Sequence, residues 1–252
     1  MSSTLSTQKI EYPYPIVLID NVFGPDGLKK IQKLADEILW KRISTTFYDQ
    51  HEFTVVRSDE TFPVFSLDRL HQIKADLEKH FECEYYDFVE INFHKLIADQ
   101  YINIHTDTPL PGYESVRLVV GIDEDYSGGF FHAFDSEHKI SSFDLKNGKG
   151  LAFTLSENSY HAVTKVTEGS RLTAILSFWQ RDCELNLDEL ATRGLYFLGD
   201  QRVSRQLDFL REIGCHRTAH TGRDLFSHLY ETYLILDRWN VDDDVKLAGL
   251  FH

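Results

Sequence analysis

The chain has 252 residues, of which 42% are hydrophobic and 13% aromatic, so it can bury a sizeable core in one large domain or in a domain with a smaller appendage. Its formal net charge of -14, with no basic cluster to offset it, disfavours a nucleic-acid partner, whereas a cationic or zwitterionic small molecule meets no such repulsion. No stretch approaches the ~20 apolar residues that span a bilayer, so we expect no membrane insertion.

The cysteines indicate the cellular compartment. Cys83, Cys183 and Cys215 are odd in number and far apart, without the paired spacing typical of a zinc site or a redox motif. They are most simply reduced thiols, which predicts a cytoplasmic protein. The oligomeric state is left open, a homodimer included.

The N-terminal part is predicted to alternate strand and helix. Residues 14–20 have the composition of a strand, and a turn at 23–27 starts a helix that runs to Trp40. A second helix, with charged residues on its outer face, is predicted over Leu67–Phe81. Residues 45–57 are polar and aromatic and are predicted to form a strand or a mobile loop near a pocket.

Strand signals then crowd together between residues 85 and 179. Their density predicts a mostly β fold, a closed antiparallel double-sheet barrel or jelly-roll, whose mouth holds a ligand while alternate side chains fill its base. The predicted turns lie at residues 109–112, 127–129, 147–150 and 168–170.

Three side chains in this region have the types and order of a metal site. His105 and Asp107 lie in an alternating apolar and polar stretch typical of a half-buried strand, where side chains two residues apart share one face. His161 lies in a second predicted strand and must be brought in by tertiary folding. Two histidines and one carboxylate leave three positions of an octahedral metal open on one side, the facial arrangement used by non-haem Fe(II) oxygenases.

An isolated pair of this kind is weak support for a metal site. A chain of this composition contains about two such pairs by chance, of which His80-Phe81-Glu82 is one example. A single histidine in a strand is by default a core residue that hydrogen-bonds to a neighbouring carbonyl. The order of the three ligands, their strand context and an arginine ten residues after His161 favour the metal site.

Residues 163–178 are predicted to form a β-hairpin around the loop 168–170. With this three-residue loop Thr167 pairs with Arg171, and odd-numbered side chains of both strands share one face. A two-residue loop would turn Arg171 outward, because a slip of one residue exchanges the faces. Lys165 faces inward in the same register and is a rival cation. The inward-facing candidates are His161, Val163, Arg171 and Thr173.

Together, the His-x-Asp pair, the distal histidine, and the arginine followed two residues later by a threonine resemble the signature of the Fe(II)/2-oxoglutarate-dependent oxygenases, prolyl 4-hydroxylase-like branch. Residues 126–131 are similar to the Gly-Gly-x-aromatic strand start between the metal ligands of that family, and residues 147–153 resemble its turn before the distal histidine. The match covers roughly residues 85–180. The alternative is a structural or non-iron cupin-like barrel.

The resemblance implies a jelly-roll oxygenase domain over residues 1–182. It implies that Arg171 holds the far carboxylate of 2-oxoglutarate, with Thr173 as a further donor, and that O2 is a reactant. The implied reaction hydroxylates a C–H bond and releases succinate and CO2. The carboxylate of Asp107 favours hydroxylation over chlorination, while desaturation and ring closure stay open. The implied Fe(II) ligands are His105, Asp107 and His161.

After residue 182 the pattern changes to helix, which predicts a C-terminal helical region over residues 183–252. The stretch from His228 to His252 resembles the first part of an HD-type metal-dependent domain. That family has an aspartate directly after its second histidine, where this sequence stops, so we predict that the chain is truncated from a longer protein. A second metal site there competes with ordinary packed or exposed histidines. The histidines concerned are His216, His220, His228 and His252.

The expected function is hydroxylation of a small polar metabolite such as an amino acid, because the compact acidic chain has no evident extended peptide-docking segment. The alternatives are a peptidyl or protein hydroxylase and a non-catalytic barrel that binds a ligand or partner through the helical tail. We assign no role to the candidate pocket residues, which are Tyr48, His51, Arg57, Tyr101, Tyr113, Arg117 and Trp179.

Overall fold

The computed structural model describes residues 5–55, 64–107, 113–136, 139–190 and 192–252. The strands are β1 (Ser6–Ile10), β2 (Ile16–Asp20), β3 (Lys41–Ser44), β4 (Asp49–Thr54), β5 (Phe88–Ile97), β6 (Ile102–His105), β7 (Val116–Gly121), β8 (Tyr126–Gly128), β9 (Phe131–Phe134), β10 (Ile140–Phe143), β11 (Gly150–Thr154), β12 (Tyr160–Val163), β13 (Val166–Phe178), β14 (Leu195–Phe197), β15 (Ala219–His220) and β16 (Arg223–Asp224). The α-helices are α1 (Gly24–Glu37), α2 (Leu67–Phe81), α3 (Leu187–Leu190), α4 (Ser204–Glu212), α5 (Leu225–Arg238) and α6 (Asp243–Leu250). Two short 3-10 helices cover Gln201–Val203 and Cys215–Arg217.

Two antiparallel sheets form the body of the fold. The larger has the strand order β1-β2-β11-β7-β13-β5-β4-β3, with β14 added to β5 and β8 added to β13. The smaller has the order β10-β9-β12-β6. Buried side chains from both sheets pack in one apolar cluster, Val119 and Ile175 from the larger with Phe131 and Val163 from the smaller, so the sheets face each other. The predicted mostly β jelly-roll with a helical C-terminal region is confirmed.

Side chains of the long strand β13 alternate between the two faces of the larger sheet. Leu172, Ala174 and Leu176 point to the outer face of the larger sheet, where they join the main core together with buried residues of α1 and α2. Thr173 and Ile175 alternate with them and face the smaller sheet, where they line a cavity. Strand alternation therefore places helices on one side and a site on the other.

The predicted helices agree well with the structure. The second helix, α2, has the predicted bounds, and its first turn is capped by the Ser66 hydroxyl and by the Asp208 carboxylate, which accepts from the amides of Leu67 and Asp68. Helix α1 ends at Glu37, before the predicted end at Trp40. The turn predicted at residues 147–150 is present, while the one predicted at 109–112 lies outside the described residues.

The hairpin predicted over residues 163–178 is wrong. Strands β12 and β13 belong to different sheets, since β12 pairs with β6 and β9, whereas β13 pairs with β5, β7 and β8. The predicted loop 168–170 lies inside β13, next to a register shift, and Gly169 has a φ of +73° there. Glycine adopts a positive φ in β-bulges as well as in turns, so the sequence around Gly169 could not distinguish a bulge from a hairpin loop.

The C-terminal region is helical, as predicted, but it also contributes to the larger sheet. Its segment β14 pairs with β5, with Tyr196 opposite Val89. Helices α5 and α6 then pack on each other, and Phe226, Leu229 and Leu250 join the main core. Within the described residues, no helix is long and apolar enough to cross a membrane.

Candidate functional site

The structure brings His105, Asp107 and His161 together between the two sheets. His105 on β6 and His161 on β12 are direct cross-strand partners, and their ring centroids lie 4.2 Å apart. Asp107 follows just beyond the end of β6, with Oδ1 3.8 Å from His105 Nε2 and Oδ2 3.3 Å from His161 Nε2. The three ligand atoms lie within 4.8 Å of one another, the separation that one bound metal ion requires.

Both imidazoles are oriented by backbone carbonyls. His105 Nδ1 lies 2.8 Å from the carbonyl oxygen of Asn103, and His161 Nδ1 lies 2.9 Å from that of Ser159. Because a carbonyl can only accept, each Nδ1 must donate its proton, which leaves the Nε2 lone pair directed towards Asp107. Metal-binding histidines in proteins are held in this way.

The electrostatics of the site favour a charged carboxylate beside neutral imidazole. Burial by itself raises the pKa of Asp107, but the neighbouring His161 ring and the charge of Arg117 outweigh it, so the pKa lies well below its ordinary value. Burial, and next the neighbouring His161, lower the pKa of His105. A metal site needs these protonation states.

Aromatic rings wall the site. The His161 ring stacks on Phe131 at 5.4 Å and meets the edge of Phe153 at 4.9 Å. On the outer side, the ring of Phe47 lies 5.5 Å from that of His105. These contacts restrict the histidine rings and limit the access of water to His161, which is 5% exposed.

Arg171 lies deep in the same cavity. Its side chain comes from β13 and is only 2% exposed, yet among the described residues its Nε and Nη2 have no hydrogen-bond partner. Burial lowers the pKa of Arg171, and the neighbouring Tyr126 hydroxyl partly opposes that shift. Unsatisfied donors on a buried guanidinium are unfavourable, so their presence in a cavity points to an anionic ligand. Thr173 lies beside it, and its hydroxyl donates to the carbonyl of His94 at 3.4 Å.

The cavity has a volume of about 180 Å³. Its lining comes from β4, β5, β7 and β13 of the larger sheet, from β6, β9 and β12 of the smaller sheet, and from the loop before β4. Its lining is Phe47, Tyr48, Gln50, Glu52, His94, Ile102, His105, Asp107, Arg117, Val119, Phe131, His161, Val163, Arg171, Thr173 and Ile175.

Several of these positions differ from the sequence predictions. Lys165, predicted to face inward, lies in the connection between the two sheets, where its side chain is 53% exposed and reaches Asp99 at 3.3 Å. Of the candidate pocket residues, Tyr48 and Arg117 line the cavity, and Arg57 lies outside the described residues. The candidates that do not line it are His51, Tyr101, Tyr113 and Trp179.

The sequence predictions also missed polar residues that line the cavity. Gln50 and Glu52 are two residues apart on β4, and Glu52 lies opposite His94 of β5. Gln50 and Glu52 at alternate positions of β4, and His94 within the mostly apolar β5, were the available signal. That signal becomes informative only once the pairing of the strands is known.

His94 is partly buried and lines the cavity as a neutral imidazole. Burial, and next the charges of Arg117 and Arg171, lower its pKa to about 3. The folded protein therefore binds fewer protons at this position than the unfolded chain does. The contribution of neutral His94 to the free energy of unfolding is fully present above the pKa of the unfolded chain, about 6.5. It is lost progressively as the pH falls towards 3.

We expect the free energy of unfolding to decrease by about 1.4 kcal/mol per pH unit below pH 6 through His94. Chemical denaturation between pH 4 and pH 8 measures this slope. His94→Gln should flatten the profile. His71, whose pKa burial also lowers, makes a second contribution, so His71→Gln should flatten it separately. Parallel profiles for the unaltered protein and His94→Gln would contradict the assignment.

The C-terminal histidines lie near one another away from this site. His228 Nε2 is 3.1 Å from His252 Nε2, and the rings of His220 and His228 are 4.3 Å apart. Within the described part of the chain, they do not form a group of three ligand atoms that all lie within 4.8 Å of one another.

Solved structures with similar folds identify the architecture. An oxidoreductase of the 2OG-Fe(II) oxygenase family from Burkholderia pseudomallei matches with a TM-score of 0.56 and 14% identity, over 68% of this chain and 88% of that one. A viral collagen prolyl hydroxylase from Paramecium bursaria Chlorella virus-1, in complex with 2OG, matches with a TM-score of 0.52 and 14% identity, over 65% and 94%. A prolyl-4-hydroxylase from Pseudomonas putida matches with a TM-score of 0.52 and 16% identity, over 71% and 94%. This chain has the 2OG-Fe(II) oxygenase fold.

Sequence comparisons add little to this result. No curated protein is significantly similar in sequence to the chain. A family model described as a domain of unknown function, DUF6817, matches residues 209–252. The resemblance of the tail to HD-type domains is therefore unconfirmed.

Proposed function

We propose that this protein is an Fe(II)- and 2-oxoglutarate-dependent oxygenase that hydroxylates an unactivated C–H bond of a small polar metabolite, such as an amino acid, with release of succinate and CO2. The observation that supports this most strongly is the buried guanidinium of Arg171, with unsatisfied donors, in the same cavity as the His105, Asp107 and His161 cluster. A metal site alone has many uses. A metal site beside a buried anion socket fits a metal-chelating dicarboxylate.

The donor set fits Fe(II). Two imidazole nitrogens and one carboxylate suit a non-haem ferrous ion and leave coordination positions for other ligands. His105 Nε2, His161 Nε2 and the Asp107 carboxylate would hold the ion. When bound together with 2-oxoglutarate and O2, Fe(II) supplies the oxidising chemistry that amino-acid side chains lack.

The protein's own part is to bind, orient and exclude water. Arg171 would hold the far carboxylate of 2-oxoglutarate in a two-pronged contact, because a planar guanidinium matches a carboxylate in geometry and charge. The Thr173 hydroxyl would serve as a further donor. Val119 and Ile175 line the cavity around these groups and keep bulk water from the charged contact, which strengthens it.

The size and polarity of the cavity support a small polar substrate. Its volume of about 180 Å³ is smaller than the several hundred Å³ of typical ligand pockets. Gln50 is 4% exposed, and its Oε1 has no hydrogen-bond partner among the described residues. Glu52 beside it adds a carboxylate suited to an ammonium group of a substrate.

A substrate screen tests the proposal. Amino acids and related metabolites are incubated with the protein, Fe(II), 2-oxoglutarate and O2, and succinate is quantified with and without each compound. We expect one class of compounds to stimulate succinate formation and to yield a product one oxygen atom heavier. If no compound stimulates turnover while a peptide does, the protein is a peptidyl hydroxylase. If nothing does, the non-catalytic barrel is favoured.

Gly129 provides space for Arg171 and yields a prediction. Its φ is +66°, and a Cβ there would lie 2.7 Å from Cδ of Arg171, too close for van der Waals contact. Gly129→Ala should displace the guanidinium and raise the KM for 2-oxoglutarate by about 10- to 100-fold. Steady-state succinate formation against 2-oxoglutarate concentration measures this change.

Gly148→Ala is the matched control for that variant. Gly148 also has a positive φ, +81°, but a Cβ there would approach no atom closer than 3.7 Å. Both variants incur backbone strain of about 1 kcal/mol or more, and only the first crowds Arg171. Equal KM values for the two variants would show that Gly129 has no specific effect on the arginine.

A further inference from the structure

We infer that Arg117 is a positioning residue for the metal site: it holds one oxygen of the Asp107 carboxylate, so that the other is presented to the ion. Arg117 is itself held by Glu114, which Arg193 contacts in turn. This inference rests on the metal site of the proposed function. It assigns a role to a buried chain of ion pairs that the 2-oxoglutarate contacts do not involve.

Asp107 needs an orienting partner more than the two histidines do. His105 and His161 lie in paired strands, and a backbone carbonyl fixes each ring. Asp107 lies beyond the end of β6, where no strand pairing restricts it. Its Oδ2 accepts a hydrogen bond from Nη1 of Arg117. An outer partner that fixes a metal-binding carboxylate contributes to metal affinity even though it never touches the metal.

Arg117 is itself fixed from the other side. Its Nη2 donates to Oε1 of Glu114 at 2.6 Å, so the guanidinium bridges two carboxylates with two different nitrogens. The side chains of Arg117 and Glu114 are 22% and 9% exposed. A bridging guanidinium in a fixed plane can define the direction of a carboxylate, whereas a single ammonium group on a flexible stem cannot.

The chain of charges continues into the segment after β13. Arg193 Nη1 lies 3.2 Å from Glu114 Oε2 and 2.8 Å from Glu90 Oε2. Its guanidinium also lies over the ring of Trp179, at 5.4 Å. The signs alternate from Asp107 to Glu90, so each buried carboxylate has a cation beside it. Arg193, between α3 and β14, thereby supports the metal ligand through Glu114 and Arg117.

Two effects of Arg117 on metal binding oppose each other, which makes a decisive experiment possible. Its positive charge repels a metal cation, so loss of the charge alone would strengthen binding. Its geometry orients Asp107, so loss of the two-pronged bridge would weaken binding. Arg117→Lys keeps the charge and removes the bridge, while Arg117→Gln removes the charge as well.

The experiment is calorimetric titration of the full chain, freed of metal, with Mn(II) in the absence of 2-oxoglutarate and substrate. We expect Arg117→Lys and Arg117→Gln both to bind Mn(II) about 10- to 100-fold more weakly than the unaltered protein. Arg193→Met should weaken binding by a smaller factor. The double variant Arg117→Lys/Arg193→Met should bind no more weakly than Arg117→Lys, because the two residues act through one path.

The control is Arg42→Lys, since Arg42 on β3 makes a two-pronged contact with Asp49 on β4 and neither residue lines the cavity. It should bind Mn(II) like the unaltered protein. Thermal unfolding of each metal-free variant identifies any that is not folded, in which case Arg193→Met carries the test. If Arg117→Lys binds as tightly as the unaltered protein, or Arg117→Gln binds more tightly, the inference is overturned while the proposed function stands. If the unaltered protein binds no Mn(II), both are overturned.

Discussion

Asp107→Ala is expected to weaken metal binding by more than about 100-fold, beyond the 10- to 100-fold loss typical of an outer partner. Asp107 is the one anionic member of the three-ligand cluster, and its low pKa keeps it charged throughout the neutral range. Without it, two neutral imidazoles remain, with Arg117 nearby to repel a cation. Substrate-stimulated succinate formation should fall to background. Calorimetry with Mn(II) and a succinate assay measure the two effects.

The variant should stay folded, because Arg117 keeps its contact with Glu114 after Asp107 is removed. Asp107→Asn tests charge separately from shape, since the amide has nearly the same size. It should lose almost as much metal affinity as the alanine variant. Asp20→Asn, an exposed carboxylate on β2 that does not line the cavity, is the control and should bind metal normally. Metal binding by Asp107→Ala equal to that of the unaltered protein would exclude Asp107 as a ligand.

Arg171→Met is expected to raise the KM for 2-oxoglutarate by about 30- to 1,000-fold, equivalent to a loss of about 2–4 kcal/mol of binding free energy. The reason is that a charge-assisted, two-pronged contact in a water-excluded cavity would be removed. The same change leaves the metal ligands in place, so Mn(II) affinity without 2-oxoglutarate should stay within a few-fold of normal. Succinate kinetics and calorimetry distinguish the two outcomes.

Arg171→Lys separates charge from geometry at the same position. An ammonium group keeps the attraction but cannot match both carboxylate oxygens, so the KM should lie between those of the unaltered protein and Arg171→Met. Methionine fills a similar volume, and the Tyr126 hydroxyl, which loses its contact with the guanidinium, still donates to the carbonyl of Leu145. An unchanged KM for Arg171→Met would show that 2-oxoglutarate, if it binds, does so elsewhere.

The three metal-ligand positions could be proposed from sequence because local rules specify most of their geometry. Strand alternation predicts His105 and Asp107 on one face, and their side chains do meet although β6 ends at His105. The order of ligands selects His161. The inward direction of Arg171 was predicted as well, but from a hairpin that does not exist. Odd-numbered residues of both β12 and β13 nevertheless line the cavity. The two strands lie in facing sheets, and Thr164 and Lys165 connect them.

Non-local pairing explains what the sequence did not reveal. Lys165 was predicted to face inward because strand parity was continued through residues that are not in a strand. Glu52 and His94 become neighbours only when β4 pairs with β5. The contact of Arg117 with Asp107 joins β7 to the end of β6, which belong to different sheets. Such contacts depend on which strands pair, and periodicity contains no information on that choice.

The division of the chain after residue 182 stays a prediction. The change from strand to helix is where the sequence indicated it. Beyond it, however, β14 pairs with β5, and Arg193 contacts Glu90 and Glu114 of the β-rich part. The two regions therefore share a sheet and a chain of ion pairs. The sequence did not predict this, because β14 has only three residues and no clear strand pattern.

Anaerobic absorption spectroscopy tests the central claim most directly. The metal-free protein is loaded with Fe(II), loading is verified by metal analysis, and 2-oxoglutarate is added without O2. If 2-oxoglutarate chelates iron held by His105, Asp107 and His161, a weak visible metal-to-ligand charge-transfer band appears, and Asp107→Ala does not give it. A fully loaded protein that shows no such band at saturating 2-oxoglutarate would contradict the assignment.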